Sequence, residues 1–152
     1  MITLREAGEH DLDAMVQIAL HGTRESAFEG VVCPDRAREY LRAHIHWDEA
    51  SAMLAEDNGE IVGGVLLVAS HEVWEQPLCY LLKFWVLPSG RGTNTARLLM
   101  SYIHSWAKEN DCSAIYATAT AELDAQEQKL FENLLKRSGF VDCGPTMKAR
   151  IK

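Results

Sequence analysis

Apolar and polar positions along the chain follow two periods, and the switches between them mark the elements. Residues 2–7 alternate well enough for a first strand. Asp11 is suited to cap the helix that follows, in which Leu12, Met15, Val16, Ile18 and Ala19 form one stripe. Pro34 fits the first turn of a second helix running to about Trp47, with Ala37, Tyr40, Leu41, Ala43 and His44 or Ile45 expected inward. Residues 51–56 and 60–70 read as two strands joined across Asp57-Asn58-Gly59, a hairpin turn signal. The second of them is continuously apolar, as expected of a strand covered on both faces. Residues 78–86 are apolar except for Lys83 and predict the next strand.

From about Asn94 to residue 110 the period is helical again, with Ala96, Leu99, Met100, Ile103, Trp106 and Ala107 on one face. A strand is predicted over 113–120. Asp124 and Glu127 have the spacing of a capping box for a last helix carrying Leu130, Phe131, Leu134 and Leu135, and Gly139 is placed to end it. Residues 141–143 and 147–151 are expected to form short final strands around Gly144-Pro145. The order β-α-α-β-β-β-α-β-α-β-β describes one α/β (α+β) domain over 1–152, without repeat, linker or low-complexity segment.

Composition narrows the class. A chain of 152 residues, 47% hydrophobic and 24% charged, is ordinary for one soluble domain. No apolar run approaches the roughly 20 residues that cross a bilayer, and the first residues lack the basic and apolar regions of a signal peptide. A cytoplasmic protein without membrane contact is expected. The net charge of −7 would repel nucleic acid, and no basic stripe is interleaved with aromatics. Cys33, Cys79, Cys112 and Cys143 are widely spaced and contain no C-x-x-C pair, which fits reduced thiols. His44 and His46 lie two apart in a helix and point about 200° away from each other, so they do not share a metal, and no metal is expected.

The segment from Phe84 to Met100 carries the functional signal. An apolar strand runs into Pro88, a Ser89-Gly90-Arg91-Gly92 loop follows, and a helix begins. That arrangement gathers unpaired backbone N–H groups and the positive end of a helix dipole at one point, an anion site suited to phosphate or pyrophosphate. Neither G-x-x-x-x-G-K-[ST] nor G-x-G-x-x-G is present, which argues against other nucleotide-binding α/β classes.

This segment resembles the acyl-CoA-binding motif of the GNAT (GCN5-related N-acetyltransferase) superfamily. Val86-Leu87-Pro88 matches the strand end, Arg91-Gly92 the central Arg-Gly, and residues 96–99 the helix. Ser89 stands where Gln or Arg is usual and Asn94 where a second Gly or Ala is usual. Short members of the family, including bacteriophage ones, are similar in lacking that glycine. Residues 130–140 resemble the helix-to-Gly-Phe element near the family's C-terminal end. The resemblance implies a mostly antiparallel central sheet flanked by helices and splayed at strands 4 and 5, with acetyl-CoA as co-substrate in the gap. It implies that the amides from Arg91 through Gly92, Thr93, Asn94 and Thr95 to Ala96 cradle the pyrophosphate. The backbone of Phe84, Trp85, Val86 and Leu87 would then line the pantetheine. The Thr93 and Thr95 hydroxyls and the Arg91 or Arg97 cation would add donors.

The resemblance also implies acetyl transfer to an amine acceptor, a small molecule or a protein, by direct attack. Many relatives carry a Glu where this chain has Leu82 and a Tyr where it has Leu135. A leucine moves no proton, so other groups must serve. His71, Glu72 and Tyr80 are the leading candidates; Glu75, Glu29, Asp35 and Tyr116 are alternatives. The missing pair motivates the competing expectation of an inactive CoA-binding or structural interaction protein. In this family the acceptor is set by the segments about 22–34 and 70–78, neither of which carries a specificity motif here. Dimers are common among relatives, although no feature of this sequence points to one.

Overall fold

Residues 60–70 contain hardly a polar side chain between their ends, and they form the middle strand of the sheet. The computed structural model describes residues 1–22, 32–117 and 125–144, together with 147, 149 and 151. Five strands lie side by side in the order β1 (Ile2–Glu6), β2 (Ala50–Asp57), β3 (Glu60–Ser70), β4 (Leu78–Val86) and β5 (Ile115–Ala117). The first four pair antiparallel, and β4 and β5 run parallel. Four helices flank them: α1 (Leu12–Gly22), α2 (Pro34–His46), α3 (Thr95–Glu109) and α4 (Ala125–Arg137).

Strand side chains alternate between the two faces of the sheet and create two cores. Met53, Val65, Leu67, Cys79 and Leu81 pack against Leu99, Ile103 and Trp106 of α3 and Phe131 and Leu135 of α4. Ala52, Leu54 and Leu66 point the other way, against Leu12, Met15 and Val16 of α1 and Leu41 of α2. β3 serves both cores, which accounts for its unbroken apolar run.

Local signals explain the turns. Asn58 (φ 50°) and Gly59 (φ 84°) both occupy the left-handed region, as the two-residue hairpin between β2 and β3 requires. Gly139 (φ 95°) ends α4: its N–H donates to the Lys136 carbonyl and that of Phe140 to the Leu135 carbonyl, a Schellman closure.

Several expectations are corrected. Asp11 does not start α1 as its cap. It sits in a 3-10 turn (Glu9–Asp11), where its carboxylate accepts the Gly8 N–H at 2.8 Å and both terminal nitrogens of Arg5, each at 2.8 Å. Arg5 also pairs with Glu56, so β1, β2 and the turn are tied through one guanidinium. In α2 only Leu41 and His44 are buried, whereas Tyr40 and Ala43 face out. The helix meets the sheet on a narrower stripe than its apolar count suggested. β5 is shorter than predicted: Ser113 and Ala114 are tethers, with the Ser113 N–H donating to Pro77 and the Cys79 N–H to Ala114. Residues 118–120 and Asp124 lie outside the described part. Residues 141–143 form no strand, nor do 147, 149 and 151; 148 and 150 of the final predicted strand lie outside the described residues.

Candidate active site

Among the described residues, β4 pairs with β5 through Cys79 with Ile115, Tyr80 with Tyr116 and Leu81 with Ala117. Just beyond, the β3–β4 register jumps from Leu67–Leu81 to Leu66–Lys83, so Leu82 is the extra residue of a bulge. A bulge takes backbone polar groups out of the ladder and bends the strand, and bulges recur beside active sites. Leu82 itself packs toward the α1/α2 core. The mostly antiparallel sheet flanked by helices that was expected is present, with β4 and β5 as its parallel pair.

β4 leads into the predicted anion loop. The Leu87 N–H donates to the Val62 carbonyl at 2.8 Å, holding the strand end against β3. A 3-10 turn (Pro88–Gly90) follows, with the Gly90 N–H donating to Leu87. Gly90 is buried, and a Cβ there would stand 2.7 Å from the Val62 carbonyl oxygen, so close approach to β3 demands glycine. Gly92 is needed for a different reason. Its φ is +75° and a Cβ would meet nothing within 4 Å, so the backbone there faces open space.

Within the loop the Thr93 hydroxyl donates to the Gly90 carbonyl at 2.5 Å and accepts the Thr95 N–H at 3.3 Å. Thr95 is fully buried, 2.7 Å from the Thr93 oxygen. The two hydroxyls therefore brace the loop. Asn94 occupies the N-cap of α3 at φ −84° and makes no capping bond with its side chain. It needs no left-handed backbone, because Gly92 has taken that conformation. Among the described residues the N–H groups of Gly92, Asn94, Ala96 and Arg97 have no hydrogen-bond acceptor. Four N–H donors are thus left at the start of a 15-residue helix, where the helix dipole is positive.

Arg91 extends from this loop to Glu127 in the first turn of α4, Nη2 to Oε1 at 2.8 Å. Arg97 is exposed and borders a groove between α3 and α4 with Ser101 and His104. Of the strand residues, Val86 packs toward the α3/α4 core and Trp85 toward the α1/α2 core. The Trp85 indole lies over Gly64, where a Cβ would collide with it, and its buried Nε1 has no partner. The backbone N–H and carbonyl of Leu87 are both taken, by the Val62 carbonyl and the Gly90 N–H. Phe84 stacks on Phe131 of α4 with ring centroids 5.0 Å apart.

On the opposite face of the sheet, the structure joins two of the three leading catalytic candidates. The Tyr80 hydroxyl donates to Glu72 Oε1 at 3.0 Å, and that bond raises the Tyr80 pKa. Glu72 is exposed in the β3–β4 turn with φ 44°, a conformation few non-glycine residues adopt. His71 and Glu75 are exposed in the same turn. Tyr116 lies beside Tyr80, ring centroids 6.1 Å apart. Asp35 is exposed at the start of α2, and Glu29 lies outside the described residues.

Other positions are inert. Leu135 is core, packed with Phe131. The Cys79 thiol is buried and its pKa pushed up to about 12, so it is no nucleophile at neutral pH. His44 donates from Nδ1 to the Tyr40 carbonyl at 2.8 Å, whereas His46 pairs with Glu9 at 2.6 Å. Among the described residues no group of three His, Cys, Asp or Glu is placed to hold a metal. No described helix is long and apolar enough to cross a membrane. The bulge at Leu82, the packing need for Gly90 and the Arg91–Glu127 pair escaped the sequence reading, since each depends on a distant partner.

A parallel β4–β5 pair on an otherwise antiparallel sheet, with a glycine loop leading from β4 into α3, defines the fold class. The chain belongs to the acetyltransferase (GNAT) family, whose model matches residues 18–136. Solved structures agree on the fold. A predicted acetyltransferase from Clostridium acetobutylicum, with acetyl-CoA, superposes with TM-score 0.78 at 18% identity, covering 99% of this chain and 96% of that one. The aminoglycoside N-acetyltransferase AAC(6')-Iy in complex with CoA gives 0.76 at 15% identity, over 100% and 95%. A ribosomal-protein-alanine N-acetyltransferase from Brucella melitensis biovar Abortus 2308 gives 0.72 at 16% identity, over all of both chains. Among curated proteins no sequence match is found.

Proposed function

We propose that this protein is an acetyl-CoA-dependent N-acetyltransferase that moves the acetyl group directly to an amine. The observation that carries the reading is the continuity of β4 with the four free amides at the head of α3. An extended thioester with a pyrophosphate at one end matches that continuity: the loop holds the anion and the strand the pantetheine amides. The residues present fit the group, since Gly92 leaves the amides uncovered. Acetyl-CoA supplies an activated acyl carbon.

The chain's own part is to fix that carbon beside the bulge at Leu82 and to admit the amine from the α1/α2 face. Tyr80 lies two residues before Leu82, roughly 7 Å along the strand. Glu72, held by the Tyr80 hydroxyl, is the base we assign. His71 neighbours it in the same turn and is the second proton acceptor. The amine nitrogen forms the amide bond, the C–S bond breaks, and the proton lost from nitrogen ends on the CoA thiol. Buried Cys79, its pKa pushed up to about 12, offers no thiolate for an acyl-enzyme. Four free thiols among the described residues suit a reducing compartment, and we assign the cytoplasm.

Thermal shift tests the donor assignment. A ligand at 100 times its Kd adds about 2.7 kcal/mol, enough to raise the melting temperature by several degrees. Acetyl-CoA and CoA should shift it, and ATP and NAD should not. No shift at millimolar acetyl-CoA would overturn the reading.

A further inference from the structure

We propose that the end of the sheet remote from the glycine loop is a docking surface for an arginine-bearing amphipathic segment of another protein. The proposal goes beyond acetyl transfer and does not rest on it. The backbone brings two turns together there. The Ala50 N–H donates to the Trp47 carbonyl at 3.0 Å as α2 gives way to β2, and the Ala69 N–H donates to the Glu49 carbonyl at 2.8 Å. Two residues after Ala69 the chain enters the β3–β4 turn, where the Trp74 N–H donates to the His71 carbonyl at 2.6 Å. That turn stands at the start of β4 and the glycine loop at its end, about 25 Å away along nine residues.

Both turns expose aromatic surface. Trp47 is 50% exposed, Trp74 54% and Val73 88%. Tyr40, two helical turns before Trp47 on the same side of α2, is 41% exposed, and Ala43 between them faces out. The chain's other two tryptophans, Trp85 and Trp106, pack into the cores. Indole and phenol surface left in water at adjoining elements has the composition of an interface hot spot.

Charge selects the occupant. Residues 43–82 hold seven Asp and Glu and no Lys or Arg. At the far end of β2, Glu56 pairs with Arg5 and Asp57 with the N-terminal amine. At the near end Asp48 and Glu49 follow Trp47, and Glu75 follows Trp74. All three are exposed, and among the described residues none has a cationic partner. Aromatic surface rimmed by unpaired carboxylates repels an acidic partner and is complementary to a basic one. Arginine fits both features, because a guanidinium stacks on an indole face and pairs bidentately with a carboxylate. Apolar side chains of the same segment would cover Val73 and Tyr40. The net charge of −7 steers such a partner toward the chain.

The probes are a fluorescein-labelled peptide of Arg-Leu-Gly repeats and its Gln-Leu-Gly counterpart, read by fluorescence anisotropy with the full chain and no acetyl-CoA. The arginine peptide should bind saturably and the glutamine peptide at least about tenfold more weakly. Trp47→Ser and Trp74→Ser should each weaken the arginine peptide about tenfold, as should Glu49→Gln combined with Glu75→Gln. Leu130→Ser, at an exposed apolar site on α4, should leave binding unchanged. All these side chains are exposed, and an unchanged melting temperature certifies each variant as folded. Absence of binding, equal binding of the two peptides, or indifference to Trp74→Ser, which would reduce the effect to bulk charge, would overturn the proposal. A dimer in sedimentation velocity that Trp74→Ser dissociates would overturn it too, because the occupant would then be a second copy.

Discussion

Arg91 of the loop and Glu127 of α4 form an ion pair 2.8 Å long. The guanidinium therefore faces a protein carboxylate where, on the proposed function, a pyrophosphate would compete for it. Phe84 on Phe131 makes a second link to the same helix, from β4 and apolar where the first is charged.

Removing one partner should separate the roles. Exposed pairs contribute little, about 0.5 kcal/mol, so Glu127→Gln should cost negligible stability while freeing Arg91. Acetyl-CoA affinity is expected to rise about twofold or more in Glu127→Gln and to fall about tenfold in Arg91→Ala, where a charge-assisted contact is lost. Isothermal titration checks both directions.

Two glycines two residues apart should fail differently. In Gly90→Ala the new methyl meets the Val62 carbonyl at 2.7 Å, and the loop must lift off β3. A loss of about 2 kcal/mol or more is expected, with a lower denaturation midpoint. Gly92→Ala meets no atom and suffers only the left-handed backbone, about 1 kcal/mol. Its larger effect should be on acetyl-CoA binding, because a side chain at φ +75° disturbs the backbone that carries the free Gly92 amide.

Acid should loosen the Arg5–Asp11 tie. Asp11 is buried and its pKa is lowered to about 2, first by the bond from Arg5 and against the cost of burial. The folded pKa lies below the unfolded one, so the stabilisation is complete above pH about 4 and disappears as pH falls toward 2. It amounts to about 2 kcal/mol. Urea denaturation from pH 7 to pH 2 should show that loss, and Asp11→Asn should flatten the profile by lowering its neutral end.

Replacing Leu135 with the tyrosine common in relatives should not create a proton donor. The site is core beside Phe131, and a larger side chain with a hydroxyl must overpack it or bury the hydroxyl unpaired. A melting temperature several degrees lower with no gain in turnover is expected for Leu135→Tyr.

Much of this was legible in the sequence because it is local. The apolar run of 60–70, the Asn58-Gly59 turn, the stripe of α3, the Gly139 stop and the amide loop each depend on residues close in the chain. Glu72 and Tyr80 were singled out separately by chemistry, and only the fold shows them bonded. What escaped depends on distant partners. The Leu82 bulge is a mismatch of β3 against β4, and Gly90 answers to Val62. Asp11 was expected to cap α1, but Arg5 and the Gly8 amide hold it instead. Tyr40 and Ala43 of α2 face solvent because the sheet has room for a narrow stripe only.

Turnover tests the central claim most directly. Purified protein with acetyl-CoA and a panel of aliphatic amines is followed by thiol release, and the amine is weighed by mass spectrometry. The account predicts amine-dependent release of free thiol matched by one added acetyl group on the amine nitrogen. Release no greater than in the amine-free control with every acceptor, from protein whose melting temperature acetyl-CoA raises, would contradict it and identify a binding module that has kept the loop and lost the chemistry.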